Sequence, residues 1–363
     1  MTYQKLIHHI CLSLSLRYYP ERKEAVQTWL TSATFKWEHL VQTLSGHLVI
    51  PAFYINLQHA NLLQFLPKDL EDYLAQITDL NRERNRKLIQ QAKALNTILI
   101  AESQPPLFLK GTAFLLCDLY ADYAERMVGD IDFLVPKGRF KEVACIIKKQ
   151  GYAAIINEAD FDYINAKHYP RLVHEHHLAA VEVHQTIISP EYKNPMPYEV
   201  ILAKAIKHQE LWTPATEHLL WHNILNTQLN DKGYWFHQTT LRHYYDAFLL
   251  WHHPDIGLTG LELTQYPQCQ SYLAVMTDLF KVLHNSIPES KKIKRSRFWF
   301  QLSLKYPKAT KIFNKLTHIR LRIQYLWRKI LQVFVYKDQR TRIIKLLKTP
   351  KKYVEHLYYF NKK

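Results

Sequence analysis

Hydrophobic period changes twice along this chain, and the two changes bound what it can become. Up to Pro105-Pro106, and again from residue 196, apolar residues recur at helical spacing. Leu70 to Leu95 carries apolar residues at 70, 73, 74, 77, 80, 88, 92 and 95, and Pro67 precedes it as a helix-start residue. Between those regions the apolar residues gather into short runs closed by glycine or proline. Leu107-Phe-Leu109 ends at Lys110-Gly111, and Ile131 to Val135 ends at Pro136. Leu178 to His184 alternates as a strand does. Thr112 to Tyr123 and Arg139 to Lys149 read as the intervening helices, the second ending at Gly151, a C-cap residue. The pattern predicts an α+β fold. A small mixed-sheet core over 106–190 is embedded between an N-terminal helical region, 1–105, and a C-terminal helical region, 191–289. A basic amphipathic helical tail, 290–363, follows.

At 363 residues the chain can bury a large core in two or three domains. It holds eight glycines, without GxGxxG or GxxxxGK[ST], which argues against glycine-rich dinucleotide and P-loop sites. The four cysteines stand far apart with no CxxC pair, the usage of a reducing cytoplasm. Met1 to His9 has no signal-peptide pattern, and no run of about 18 apolar residues occurs. A cytoplasmic protein is expected.

The net charge of +16 is unevenly spread. Pro288 to Lys363 contains 22 Lys/Arg against 3 Asp/Glu, leaving 26 basic and 29 acidic residues elsewhere. Within that tail Ile323, Leu326, Trp327, Ile330, Leu331 and Phe334 form a helical stripe bordered by Arg320, Arg322, Arg328 and Lys329, and Arg342 to Lys348 continues the theme. A basic amphipathic helix of this kind suits an anionic membrane surface, which would make the protein peripheral at the inner membrane face. Nucleic-acid phosphates, or packing of the stripe inside the protein, are the other readings.

The residues that carry chemistry lie in the core. In Arg126-Met-Val-Gly129-Asp130-Ile-Asp132-Phe-Leu-Val135 two aspartates at i and i+2 of a strand share one face. Carboxylates so close on an apolar strand repel unless a cation joins them, and a hard, oxygen-preferring ion such as Mg²⁺ is the simplest choice. Two solvated aspartates at a strand end are the plain alternative. Upstream, Lys110-Gly111-Thr112 stands at a strand-to-helix turn where amides and the Thr112 hydroxyl can meet a phosphate. Downstream, Val181-Glu182-Val183-His184 brings a third carboxylate on another strand. His184 either orients Glu182 or the acceptor, or is a core histidine. His174-Glu-His176-His177 lacks an HExxH pattern and reads as a polar loop before the Glu182 strand, with His177 facing the cleft. His222, Arg242 and Asp246 either hold an acceptor or tie helices together.

The combination Leu109-Lys-Gly-Thr, Arg126-x-x-Gly-Asp-Ile-Asp-x-Leu-Val and Val181-Glu-Val-His resembles the uncharacterised nucleotidyltransferase branch of the polymerase-β-like superfamily. The similarity runs from about residue 35 to 250, taking in Arg84-Asn85 and Leu241-Arg242-x-x-x-Asp246. It implies Asp130, Asp132 and Glu182 as catalytic, metal-binding carboxylates for two Mg²⁺ ions, with Glu182 helping to activate the acceptor hydroxyl. It implies Lys110, Gly111, Thr112, Arg126 and Gly129 as the nucleotide-binding set, although Lys110 and Arg126 also suit solvated surface charges. Thr112 stands where the superfamily has glycine or serine. The implied reaction moves a nucleotidyl group from an NTP, ATP among them, to an acceptor and releases pyrophosphate. A non-catalytic NTP-binding module and an RNA-modifying, toxin-like transferase are the alternatives.

Overall fold

The computed structural model describes the chain apart from residues 33–35, 159–160, 164–165, 238–239, 257–265, 283–289 and 336–363. In the last helix it describes the side chains up to Gln324 and that of Trp327. The chain divides into two compact units, Met1–Lys305 and Tyr306–Lys363. Helix α14 (Pro307–Val335) is the described element of the second unit. All other elements belong to the first. The sequence boundaries at 105/106 and 190/191 both fall inside the first unit.

Helices α1 (Tyr3–Leu14), α2 (Lys23–Leu30), α3 (Trp37–Gly46), α4 (Ile50–His59) and α5 (Lys68–Ala101) lead into the sheet. The α5 helix runs for 34 residues from Pro67, with Asp69 and Glu71 favourably placed in its first turn. Its buried face differs from the stripe drawn on the sequence: Tyr73 and Leu80 are exposed, while Thr78, Asn81, Asn85, Gln91 and Asn96 are buried. Buried amides are costly unless bonded, and these are bonded to backbone. Gln91 is donor to the Ala179 carbonyl (2.8 Å) and acceptor from the Ala179 N–H (3.1 Å), and Asn96 donates to the Glu210 carbonyl (3.0 Å). The helix is a polar spine to which loops are tied.

The sheet has seven strands in the order β3-β4-β5-β2-β1-β7-β6, so the fold is α+β with a mixed sheet. In chain order these are β1 (Leu107–Phe108), β2 (Asp130–Leu134), β3 (Ala153–Ala154), β4 (Leu172–Val173), β5 (Ala180–His184), β6 (Ile206–His208) and β7 (Leu211–Thr213). Strands β2 and β5 are parallel neighbours, and β1 pairs antiparallel with β2. The hairpin β6–β7 lies inside a segment read as helical; it extends the sheet because β7 pairs in parallel with β1. Helix α6 (Lys110–Leu116) is shorter than its sequence reading, which ran on to Tyr123. The chain leaves it through Asp118 in left-handed backbone and a 3₁₀ turn whose Asp122 and Glu125 form a capping box. Helix α7 (Phe140–Lys149) packs on β5.

Helix α8 (Tyr198–Leu202) lies between β5 and β6, and beyond the sheet come α9 (Thr216–Leu225), α10 (Gly233–Phe236), α11 (Leu241–Trp251), α12 (Pro267–Phe280) and α13 (Lys291–Lys305). A single hydrophobic core joins α1, α4, α5, the sheet, α11 and α12, with Phe53, Phe108, Phe133, Phe248 and Tyr272 among its fully buried members.

Candidate active site

Strand register brings the carboxylates together. Asp132 on β2 pairs with Glu182 on β5, and Leu134 pairs with His184. Side chains alternate along a strand, so Asp130, Asp132, Glu182 and His184 project from one face. His184 is wholly buried; its Nε2 lies 2.7 Å from an Asp132 carboxylate oxygen and 3.4 Å from Glu182. Ligand atoms of Asp132, Glu182 and His184 all fall within 4.8 Å of one another.

Lys110 is delivered to the same place by the backbone. The Leu109 N–H donates to the Asp132 carbonyl (2.8 Å), carrying the β1–β2 ladder one residue further. Lys110 then adopts left-handed backbone, φ 51°, as the first residue of α6. Its ammonium sits 2.5 Å from Asp132 and 3.6 Å from Glu182. The left-handed residue of this turn is therefore the lysine. Gly111 has a different need: a Cβ there would lie 3.0 Å from Val128 Cγ2. The Thr112 hydroxyl, buried, donates to the Asp130 carbonyl (3.2 Å) and fastens the turn to β2.

Arg171 completes the ring of charge. Its Nη2 donates to Asp130 (2.6 Å) and its Nε lies 4.0 Å from Glu182. Leu172 pairs antiparallel with Val181, which sets Arg171 opposite Glu182. His168, bridged to His184, stands 3.9 Å from Glu182. Sequence reasoning missed Arg171, His168 and Lys167. The available signal was a cluster of bases ahead of a two-residue apolar strand.

Burial would raise every carboxyl here, and neighbours decide the outcome. For Asp130 burial wins, reinforced by repulsion from Asp132 and Glu182, and its pKa is raised. For Glu182 burial is outweighed by the bond from His184 and the charges of His168 and Lys110, which hold it well below the usual carboxylate range. Asp132 is likewise lowered, against burial, by Lys110 and His184. Burial alone would lower the Lys110 ammonium, but Asp132 and Glu182 overcome it and its pKa is raised. Lys167 has less compensation: burial, then Lys110, brings it down to about 8. Burial, with Lys110, His184 and Lys167 close by, keeps His222 well below its ordinary value and so neutral.

The segment leading into β2 is held by side chains from distant helices. Asn81 donates to the carbonyls of Ala124 (2.6 Å) and Arg126 (3.1 Å), and Asn85 to those of Tyr123 (2.6 Å) and Arg126 (2.7 Å). Arg84 reaches the carbonyls of Val128 (3.0 Å) and Gly129 (3.3 Å), and Arg242 that of Met127 (3.1 Å). The Arg126 side chain turns inward. Its guanidinium donates to Asp246 (3.0 Å from Nε, 2.9 Å from Nη2), which also accepts from Tyr120 (2.6 Å). The structure thus gathers Lys110, Asp130, Asp132, Glu182 and His184. The Thr112 hydroxyl and the Arg126 guanidinium are engaged within the protein, Gly129 is exposed with its carbonyl accepting from Arg84, and Asp246 with Arg242 ties α11 to the segment before β2. His177 is exposed and stacks on Tyr152, with ring centroids 5.6 Å apart.

A model of the uncharacterised nucleotidyltransferase family matches residues 33–262. The chain belongs to this family. No curated protein matches it. The nucleotidyltransferase match covers the carboxylates, Lys110 and Arg171, and also the α5 and α11 residues that hold residues 124–129; α12, α13 and α14 lie beyond it. Membership supports nucleotidyl transfer in general terms, and the buried Asp132-Glu182-His184 group is suited to a divalent metal.

The donor set fits such an ion. Three carboxylates converge beside the His184 imidazole, with Lys110 and Arg171 paired to them and Lys167 near. Asp130, paired with Arg171, has its pKa raised chiefly by burial. Oxygen donors of this kind suit a hard cation.

Proposed function

We propose that this protein is a magnesium-dependent nucleotidyltransferase that moves a nucleotidyl group from an NTP to an acceptor and releases pyrophosphate. The observation that carries the reading is the pairing of Asp132 with Glu182 across β2 and β5, with Asp130 on the same face and Lys110 between them. Asp130, Asp132 and Glu182 would hold Mg²⁺, which when bound neutralises the triphosphate and the departing pyrophosphate. Lys110 and Arg171 stand at the carboxylates as fixed cations and are placed to exchange them for phosphate oxygens once the nucleotide enters. His184 donates to Asp132 and keeps that carboxylate ionised and oriented. Glu182, held ionised, serves as charge and ligand at every pH near neutrality. An NTP donor puts the work in the cytoplasm.

The acceptor is the open part of the reading: a sugar, a lipid-linked or peptide intermediate, an RNA or a protein side chain all present a suitable hydroxyl. The test is incubation with each α-labelled NTP, Mg²⁺ and cell extract, following label in macromolecular fractions and pyrophosphate in solution. Label transfer with pyrophosphate release, both lost in Asp132→Asn with the circular dichroism spectrum kept, is the expected result. Nucleotide binding without pyrophosphate under any condition would make the protein a binding module.

A further inference from the structure

Helix α14 runs unbroken for 29 residues, about 43 Å at the usual rise, and contains no aspartate or glutamate. Ile312, Leu316, Ile319, Ile323 and Trp327 recur at helical spacing along one side and are each between 50 and 65% exposed. This extends toward the N-terminus the stripe read from the sequence at Ile323 and Trp327; the side chains of Leu326, Ile330, Leu331 and Phe334, and residues 342–348, lie outside the described set. Lys308, Lys315 and Arg322, seven residues apart and all exposed, form a row along one margin of the stripe, and Arg320 stands at the other. No single helix among the described residues is long and apolar enough to cross a membrane.

We infer that α14 is an interfacial helix that lies on an anionic lipid surface, its apolar stripe in the acyl boundary and its basic rows against lipid phosphates. Charge complementarity and the stripe together select this occupant. Nucleic-acid phosphates would engage the lysines and arginines but leave five large apolar side chains in water. A second copy of the helix would bring two purely basic rows together, which repels. A surface that is negative at the headgroups and apolar just beneath satisfies both rows and stripe. The inference stands on this helix and not on the transfer reaction.

Flotation of the full chain with vesicles tests it. The protein is expected to float with phosphatidylcholine containing about 30% phosphatidylglycerol, to stay behind with phosphatidylcholine alone, and to be released by salt. Joint replacement Leu316→Ser and Ile323→Ser is expected to weaken binding at least about tenfold. Reversal of Lys308, Lys315 and Arg322 to glutamate is expected to weaken it on the order of a hundredfold. Circular dichroism and sedimentation of each variant show whether it is folded and monomeric. Absence of wild-type flotation overturns the inference, and so does flotation unchanged by the serine pair. Binding of an RNA duplex that the charge reversals abolish, with no vesicle binding by wild type, assigns the helix to nucleic acid instead. A wild-type dimer dissolved by the serine pair, again without vesicle binding, assigns it to a second copy.

Discussion

Replacing Asp246 by leucine removes the carboxylate on which the approach to β2 depends. Asp246 is fully buried and Arg126 is 5% exposed, so the guanidinium left behind cannot recover water without opening the structure. Breaking a buried pair from one side costs about 3–5 kcal/mol. The Tyr120 hydroxyl also loses its acceptor, a burial penalty of about 1–3 kcal/mol that overlaps the first because both groups relax together. A loss of roughly 3–5 kcal/mol is therefore expected in urea unfolding. Arg126→Met alone strands the carboxylate and is expected to cost a similar amount. The double variant removes both charges from an apolar setting, and exchanges of that kind are often neutral, so it is expected to lie within about 2 kcal/mol of wild type. Hydrogen exchange should localise the damage: faster exchange at 126–132 in either single variant, with the α1 and α12 amides unchanged. Additive single losses in the double variant, or a single loss below about 1 kcal/mol, would refute the claim that this pair holds the entry to the carboxylate strand.

Lys110→Met should destabilise the protein more at neutral pH than in acid. Asp132 and Glu182 have lowered folded pKa values, so their contribution is present above the unfolded carboxylate pKa, about 4, and is lost as pH falls through the folded values. Removing Lys110 raises those values, and urea midpoints of the two proteins should draw together as pH falls below about 4. Lys167→Met should stabilise below pH 8: the folded pKa of about 8 lies under the ordinary lysine value, so the wild-type penalty is full below 8 and fades as pH rises toward 10.5. A constant offset across that window counts against the placement of Lys167. Gly111→Ala should cost about 1–3 kcal/mol, because the new methyl meets Val128 while Arg84 holds the Val128 carbonyl in place. Val128→Ala in that background should recover most of it, and no recovery would show that the contact is not the cause.

The carboxylates were legible because a strand is a strict code: residues at i and i+2 share a face whatever surrounds them, and that assigned Asp130 with Asp132 before any coordinates, while the same rule puts His184 beside Glu182 in β5. Arg171 was not legible, since it enters through β4, two residues long and without alternation, and its place opposite Glu182 follows from register alone. The same holds for β6–β7, which are strands because β1 offers an edge and not because 206–213 has a strand pattern. On α5 the period was correct, and Leu70, Leu74, Leu88, Ala92 and Leu95 are buried as read, but the stripe was drawn too wide on one side and missed its polar members. Tyr73 and Leu80 were counted inward, whereas Asn81 and Asn85 hold the buried positions. An asparagine on a helix looks like solvent-facing sequence unless something nearby needs its amide.

That need explains why the family match extends so far beyond the α/β core. Met127-Val-Gly129 has no polar side chain, yet it leads into β2 with carbonyls that need donors. A backbone group out of water has to find a donor; Arg126 Nη1 supplies one to the Met127 carbonyl (2.8 Å), and the others come from distant helices. Arg84 on α5 donates to the Val128 and Gly129 carbonyls and Arg242 on α11 to that of Met127, while Asn85 on α5 holds the Arg126 carbonyl and Asp246 on α11 anchors the Arg126 guanidinium. Each of these residues stands outside the short motif that bears the chemistry, and each falls within residues 33–262. The approach to β2 is thus braced by α5 and α11. A fragment limited to 106–190 would keep all three carboxylates and the β2–β5 ladder and lose the donors that hold residues 123–129.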